Sequence, residues 1–541
     1  MAASNANSAV RSYRRLTNWT TVTEVSDYLL LLIFAAGLAH ATYYLFLGIA
    51  SPILDFFSFR QTQTALSAFW IWRGGPWFAY QTPALGYPWA IPYEFPIYQG
   101  LVAALRMLGV PIDIGGRLLS FGFYLGCLWP LWSFFRTVKL SRTAFLAVGT
   151  LFLWSPFYIY WSRTVLIESC ALFFCLLWLD LLARFLKTVS VGFLIGAILA
   201  GMAGILCKIT TFPAVAALGG LLVLADAFRA WFAGTLIARL RVFVLAAVIF
   251  VVPLVAEFAW GTYSDVVRSQ NPFGAAQLTG SPLLAWVYGT WKQRLGPDLW
   301  RIIWDRSLLE IFGPTVIAAA IITVIGLFSR RYTIPILAAV LAFMIPFLLF
   351  TNLHFIHNYY QNANAIFALA ALGIAIAAIA EERGLVLAPF LLAIFVSGQF
   401  YFFHHYYVPV IAADFSKDRV FLISMLAREK TQPTESLIVF GQDWSSAVAY
   451  YSERKTLTMP KWAPATLMKK IIENPQAYLG DARLGGIVIC PESAGQTLTD
   501  VRNNYAGRVV LYEAFVADRK ILGEVQGCQL LAPDRVPSKV E

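Results

Sequence analysis

The 541 residues are 59% hydrophobic and only 13% charged, with a formal net charge of +11. A soluble core cannot absorb that much apolar surface, whereas runs of about 20 apolar residues match the thickness of a bilayer. The excess charge lies in residues 1–412, since residues 413–541 hold 16 Lys and Arg against 15 Asp and Glu; membrane topology accounts for it, and no nucleic-acid partner is required.

The chain opens with a polar segment, residues 1–27, carrying Arg11, Arg14 and Arg15. The apolar run that follows, residues 28–50, lacks a small-residue cleavage site, so it reads as a retained span and not as a signal peptide. Further apolar segments recur at roughly 117–135, 143–160, 166–186, 190–206, 210–226, 242–262, 309–328, 333–350, 363–380 and 384–402. Eleven spans in all make a polytopic α-helical membrane domain over residues 28–412. Threading them alternately gathers Arg136, Lys139, Arg142, Arg184, Lys187, Arg229, Arg239, Arg241, Arg330, Arg331 and Arg383 on one side. By the positive-inside rule that side is cytoplasmic, with the N-terminus there and the C-terminus outside. A bacterial cytoplasmic membrane is the expected location.

Three segments are then left outside: a first loop of residues 51–116, residues 262–307, and a tail of residues 413–541. The tail predicts a small α/β domain. SLIVF, GGIVIC and RVVLYEAF have the composition of strands, and SSAVAYYSERK and APATLMKKIIE that of helices. Cys490 and Cys528 lie in it, and the reading preferred here is two separate buried thiols over a disulfide. No CxxC spacing suggests a metal centre.

Carboxylates are costly near hydrocarbon, about 2.5–3.5 kcal/mol at a helix centre on insertion scales. Glu24, Asp27, Asp180, Asp226, Glu381 and Glu382 fall at cytoplasmic ends and read as solvated charges. The other nine acids before residue 413 are Asp55, Glu94, Asp113, Glu168, Glu257, Asp265, Asp298, Asp305 and Glu310, all on or near the outer face. That one-sidedness locates the chemistry.

Asp55 stands five residues beyond the first span. From Gln61 the chain predicts a helix lying in the membrane interface, with Leu66, Phe69, Trp70 and Arg73 on one face and Gln61, Thr64 and Ser67 on another. The prolines of YQTPALGYPWAIPYEFPIYQG forbid a helix interior until after Pro96. Glu94, within that loop, reads equally as a salt-bridge partner or a substrate contact. Arg163 ends one span and Glu168 opens the next, and a packing Arg–Glu pair is the alternative to a site. Lys208 lies at an outer hairpin, where a snorkelling lysine is common. In HFIHNYYQNAN, His354 and His357 lack a local third metal ligand, so His357, Tyr359 and Tyr360 are expected to hydrogen-bond to substrate or structure, with no metal site assigned.

DFFSFRQTQTA (residues 55–65), WSRTVLIES (161–169), CKITTFP (207–213) and HNYYQN (357–362) together resemble the GT-C glycosyltransferases related to dolichyl-phosphate-mannose–protein mannosyltransferases, nearest the branch with lipid A aminoarabinose transferases. The resemblance covers about residues 25–405. It implies transfer of a sugar from a polyprenyl-phosphate donor to a hydroxyl on a lipid, glycan or protein at the outer face, with membrane lipids as surroundings. It implies Asp55 and Glu168 as catalytic acids, although the adjacent Asp-Glu pair frequent in the family is Asp55-Phe56 here. It also implies Lys208 as a cation for the lipid phosphate.

On chemical grounds Asp55 is expected to be the general base, with Arg60, Arg163 and Lys208 steadying the phosphate and Gln61 and Glu94 beside them. No cofactor is assigned, and a divalent cation is left open. The competing class is a secondary transporter of a lipid-linked or small polar substrate, which would place polar sites near the midplane on repeat-related broken helices. A flippase-like scaffold and a ligase using lipid-diphosphate donors are the remaining alternatives.

Overall fold

The computed structural model describes the backbone of residues 2–493 and 495–535, and side chains from Glu24 onward except Ser307. Arg11, Arg14 and Arg15 therefore lie outside the described side chains. Among the described residues, eight helical stretches are long and apolar enough to cross a membrane. Three shorter apolar helices, Arg142–Trp154, Val191–Cys207 and Thr333–Leu349, accompany them. Together they coincide with the eleven apolar segments read from the sequence. The hydrophobic runs are long and punctuated by charged turns, which is why hydropathy alone found them.

The bundle packs around the helix Ala365–Arg383. Its sequence is apolar on every side, and a helix of that kind belongs inside a larger structure. It touches Arg142–Trp154, Thr333–Leu349 and Val316–Gly326. At Gly373 an added Cβ would meet the backbone nitrogen of Val148 at 2.8 Å, so glycine is what lets these two helices approach so closely.

The basic turns collect at one end of the bundle. Arg142 pairs with Asp27 at 3.4 Å and Arg331 with Glu381 at 3.2 Å. Lys187 donates to the Thr137 carbonyl at 2.6 Å, and Arg331 to that of Lys139 at 3.3 Å. Asp180 departs from the expected solvated charge. It is buried, accepting from Ser133 at 2.7 Å and pairing with Arg184 at 3.0 Å, because its helix turns that face inward.

At the other end the three loop segments assemble under one cap. Its sheet has five strands, β1 (Ser436–Phe440), β2 (Lys455–Thr458), β3 (Leu484–Ile489), β4 (Arg519–Val525) and β5 (Cys528–Arg535), in the order β2-β1-β3-β5-β4. β1 runs parallel to β2 and β3, while β5 is antiparallel to β3 and β4. Residues of the first loop pair with the outer edge of β2. Thr456 N donates to the Pro83 carbonyl at 2.9 Å, Thr458 N to that of Ala84 at 2.8 Å, and Gly86 N to that of Thr456 at 3.0 Å. An otherwise open sheet edge is thus covered.

Three expectations are corrected here. The run RVVLYEAF is a helix, Val509–Val516, not a strand; Tyr512 and Phe515 are buried three residues apart, and a short apolar run does not reveal its period. Cys490 and Cys528 form a disulfide joining the end of β3 to the start of β5. The helix Ser58–Trp72 does not present one face to lipid and the other to water. Both of its faces are buried: Leu66 is packed with Ala84 and Ala449, and the Ser67 hydroxyl bonds to that of Thr82 at 2.8 Å. Its polar row is covered by the first loop and the tail instead of by water, and burying Leu66 alone is worth about 1.5–3 kcal/mol.

Candidate active site

The helix Ser58–Trp72 begins at Phe57, a bulky residue held in the left-handed region at φ 54°. Such a conformation costs on the order of 1–3 kcal/mol and persists only where packing enforces it. Here Phe57 is wedged among Trp161, His357 and Tyr359. The sharp turn sends Asp55 and Arg60 in different directions, and the sequence-predicted residues divide into two groups accordingly.

The first group contains Asp55, Gln61 and Arg163. Asp55 is buried, with one carboxylate oxygen taking a hydrogen bond from the Gln61 amide and the other facing Arg163 at 3.5 Å. Gln61 also donates to the Phe56 carbonyl at 3.0 Å and accepts from Val165 N at 3.1 Å. Arg163 donates to the Leu47 carbonyl at 3.3 Å. Arg117 stands alongside, donating to the carbonyls of Ile49 at 2.8 Å and Ser51 at 2.5 Å. These bonds fasten the end of the first span to the 161–168 turn. Arg163 does not pair with Glu168, as the packing alternative required.

The second group contains Arg60, Glu94, Glu168, Lys208, His357, Tyr359 and Tyr360. Arg60 pairs with Glu94 across the first loop and donates to Gln63. Its guanidinium lies 5.6 Å over the Tyr93 ring. Lys208 pairs with Glu168, and its ammonium sits 4.2 Å over the Tyr360 ring and 5.0 Å over that of Tyr359. Lys208 occupies an extended kink, φ −162°, between Val191–Cys207 and the turn Ile209–Thr211. It is buried and not snorkelling. Glu168 is the first residue of the helix Glu168–Thr188, where the helix dipole favours a carboxylate.

Charge and burial compete in this cluster. Burial opposes the ionised Glu94, but Arg60 and then Lys208 outweigh it and hold its carboxyl below the ordinary range. Burial likewise opposes the charge on Lys208, and Glu168 beside it more than compensates. His357 is pushed down to about 4, first by burial and then by Lys208 and Arg60, so its ring is neutral at physiological pH. It stacks on Tyr359 at 5.3 Å. The Asn358 amide anchors this turn on Glu310 at 3.1 Å.

The decisive difference lies at Glu168. One oxygen is engaged by Lys208, while the other, Oε2, is buried with no hydrogen-bond partner among the described residues. A buried carboxylate oxygen left open costs about 1–3 kcal/mol or more, and calls for a donor from outside the protein. Arg60 and Glu94 retain 12% and 20% side-chain exposure, which makes them the rim of the cluster, with Glu168 and Lys208 at its floor. Among the described residues no three His, Cys, Asp or Glu side chains converge as a metal ion would require. Gln63, buried against Arg60, and the half-buried Tyr93 were not singled out from sequence. Gln63 follows Arg60 by about one helical turn on the same face, the one available signal.

No family model and no curated protein matches the sequence. Solved structures do resemble this one. The structure of ArnT from Cupriavidus metallidurans bound to undecaprenyl phosphate superposes with a TM-score of 0.59 at 13% identity, covering 92% of this chain and 97% of that one. The archaeal oligosaccharyltransferase AglB from Archaeoglobus fulgidus, in complex with an inhibitory peptide and a dolichol-phosphate, gives a TM-score of 0.52 at 11% identity, covering 94% of this chain and 74% of that one. A multi-pass helical membrane domain capped at one end by a small sheet domain, the chain has the fold of these two structures, the GT-C type expected from the sequence.

Proposed function

We propose that the protein is a membrane glycosyltransferase that moves a sugar from a polyprenyl-phosphate donor to a hydroxyl acceptor at the outer face of a bacterial cytoplasmic membrane. The carrying observation is the open Oε2 of Glu168 beside Lys208. Transfer requires cations for a phosphate whose negative charge grows as the glycosidic bond breaks, and Lys208 on the floor and Arg60 at the rim supply them. It also requires an acceptor for the hydroxyl proton. Glu168 offers a lone pair with no other claimant among the described residues, held in place by Lys208.

Asp55 was the first choice for that proton from the sequence. Both of its oxygens are engaged in the structure, so we assign it to positioning: it aligns the first span and the 161–168 turn, and through that turn Glu168. A single-step displacement at the anomeric carbon inverts its configuration. The polar cluster supports a transferase over a transporter, because it gathers at the capped end and not at the bundle midplane. Residues 413–541 then form an extracytoplasmic domain, and residues 1–27 lie in the cytoplasm. The solved structure with undecaprenyl phosphate supports a polyprenyl-phosphate donor here.

The test uses purified full-length protein in nanodiscs with a labelled polyprenyl-monophosphate sugar and a membrane extract as acceptor. Label is expected to pass to the extract. Glu168→Gln should lower the rate about 10²–10⁴-fold, the usual worth of a general base. Transfer from a diphosphate carrier alone, or near-normal transfer by Glu168→Gln, would overturn the reading.

A further inference from the structure

In the capping sheet the chain leaves β1 for β2 on one side and then crosses to β3 on the other. The carboxyl end of β1 is therefore the point where strand order reverses, and in α/β sheets ligands bind in the crevice outside such ends. The loops that emerge there are tied together. Gln442 donates to the carbonyls of Cys490 and Pro491, each at 3.0 Å, and Lys461 N donates to Asp443 at 2.9 Å. Lys461 also pairs with Glu492. Asp443 takes the left-handed conformation, φ 46°, which turns the chain sharply after β1.

This edge faces the transfer site. The Trp444 ring lies 4.7 Å from Phe59, the residue before Arg60, and 6.3 Å from Tyr93, over which Arg60 sits. Trp462 continues the row 6.5 Å beyond Trp444. Both tryptophans and Asp443 are half-buried. Flat aromatic faces beside a carboxylate and an ammonium suit a ligand that presents C–H faces and hydroxyls together. An acyl chain would have to desolvate Asp443 and Lys461. The sheet edge nearer this crevice, that of β2, is already held by residues 83–86, so a peptide cannot add there as a strand.

We propose that Trp444, Trp462 and Asp443 form a carbohydrate subsite that holds a glycan acceptor and directs its hydroxyl toward the Arg60–Glu168 cluster. The inference rests on the transferase reading and narrows its acceptor class to glycans. The capping domain thereby becomes part of the substrate site instead of a passive lid.

The experiment applies labelled, detergent-purified full-length protein, without donor lipid, to an array of printed hexose, pentose, N-acetylhexosamine and uronic-acid glycans, with unglycosylated peptides and phospholipids as further spots. Wild type is expected to bind at least one glycan class. Trp444→Ala should weaken that binding at least tenfold and Trp444→Phe should retain most of it. Asp443→Asn, whose side chain tolerates the left-handed backbone, should also weaken it. Absence of glycan binding, equal binding by Trp444→Ala, or Trp444-dependent binding to peptide or lipid spots instead would overturn the proposal. Sugar transfer from the labelled donor without Trp444-dependent glycan binding sinks this inference alone. Trp444-dependent glycan binding without any transfer supports the subsite and sinks the transferase reading.

Discussion

Asp55 and Arg60 are five residues apart and begin one helix, yet they belong to regions built in opposite ways. Around Asp55 both carboxylate oxygens are engaged, by Gln61 and Arg163, and the network locks a span to a turn, although Arg163 Nε and Arg117 Nε find no hydrogen-bond partner among the described residues. Around Arg60 the charges are also paired, but among the described residues Glu168 keeps an open oxygen, His357 Nδ1 and both ring nitrogens of His354 lack hydrogen-bond partners, and two side chains reach the rim. Each region holds a buried carboxylate paired with a buried cation. What separates them is whether every carboxylate oxygen of the buried acid is engaged, as in Asp55, or one is left open, as in Glu168. A closed network stabilises, whereas an open one waits for a ligand.

That contrast is broken most severely by Asp55→Asn. It leaves the Arg163 guanidinium buried without its counter-charge, and should cost about 3–5 kcal/mol of stability. Thermal unfolding in nanodiscs would measure it. Replacing both partners, as Asp55→Asn with Arg163→Met, should recover a large part of the loss. A destabilisation below about 1 kcal/mol for the single variant would remove the structural role.

Lys208→Ala sharpens the other side. It should lower kcat/KM by about 10²–10³, or roughly 2.7–4 kcal/mol, as expected for a lost donor to a developing negative charge. Donor binding should weaken more than acceptor binding, and the reverse order would contradict the phosphate role.

The capping domain has its own clamp. Cys490→Ser with Cys528→Ser opens a loop of sequence separation 38, and should cost about 2–4 kcal/mol by chain entropy. Limited proteolysis of that domain along a denaturation series would read the loss, with the bundle little changed.

The smallest effect is a pH dependence. Burial lowers His354 to about 3 and His357 to about 4, with Lys208 adding to both. Each imidazole is neutral when folded and gains a proton near pH 6.5 when unfolded. The unfolded state then binds more protons, so stability should fall as pH drops from about 6.5 toward 4. The low carboxyl of Glu94 acts in the same direction at still lower pH. His357→Gln should flatten the upper part of this profile in melting experiments between pH 7 and 4; an unchanged slope would show that the ring is not held neutral.

Much of the architecture was legible in the chain. The eleven apolar segments announce themselves by length, and β1 and β3 by short runs such as SLIVF and GGIVIC. The helix break before Ile97 follows from Pro96. The hairpin between β4 and β5 was missed although its turn, Gln526-Gly527, has positive φ at both residues, a pairing that Gly makes readable. The burial of Ser58–Trp72 was not legible, because its covering residues are Ala84, beyond a turn in the same outer loop, and Ala449, in a helix of the tail far along the chain.

The same limit governed the site. Hydropathy placed the acids on one face, and Glu168, Lys208, Arg60 and Glu94 were all named as candidates. Their partners were not legible: Arg163 could face Asp55 or Glu168 with equal propriety until the fold brought residues 55 and 163 together. Pairing across 108 positions is a property of packing, and no local pattern encodes it.

The most direct measurement is the single-turnover transfer rate of Glu168→Gln and Asp55→Asn, side by side in nanodiscs, each normalised to the folded fraction. Glu168→Gln should fall at least a hundredfold while Asp55→Asn stays within about tenfold of wild type. Loss of the chemical step in folded Asp55→Asn with Glu168→Gln still active would contradict the account.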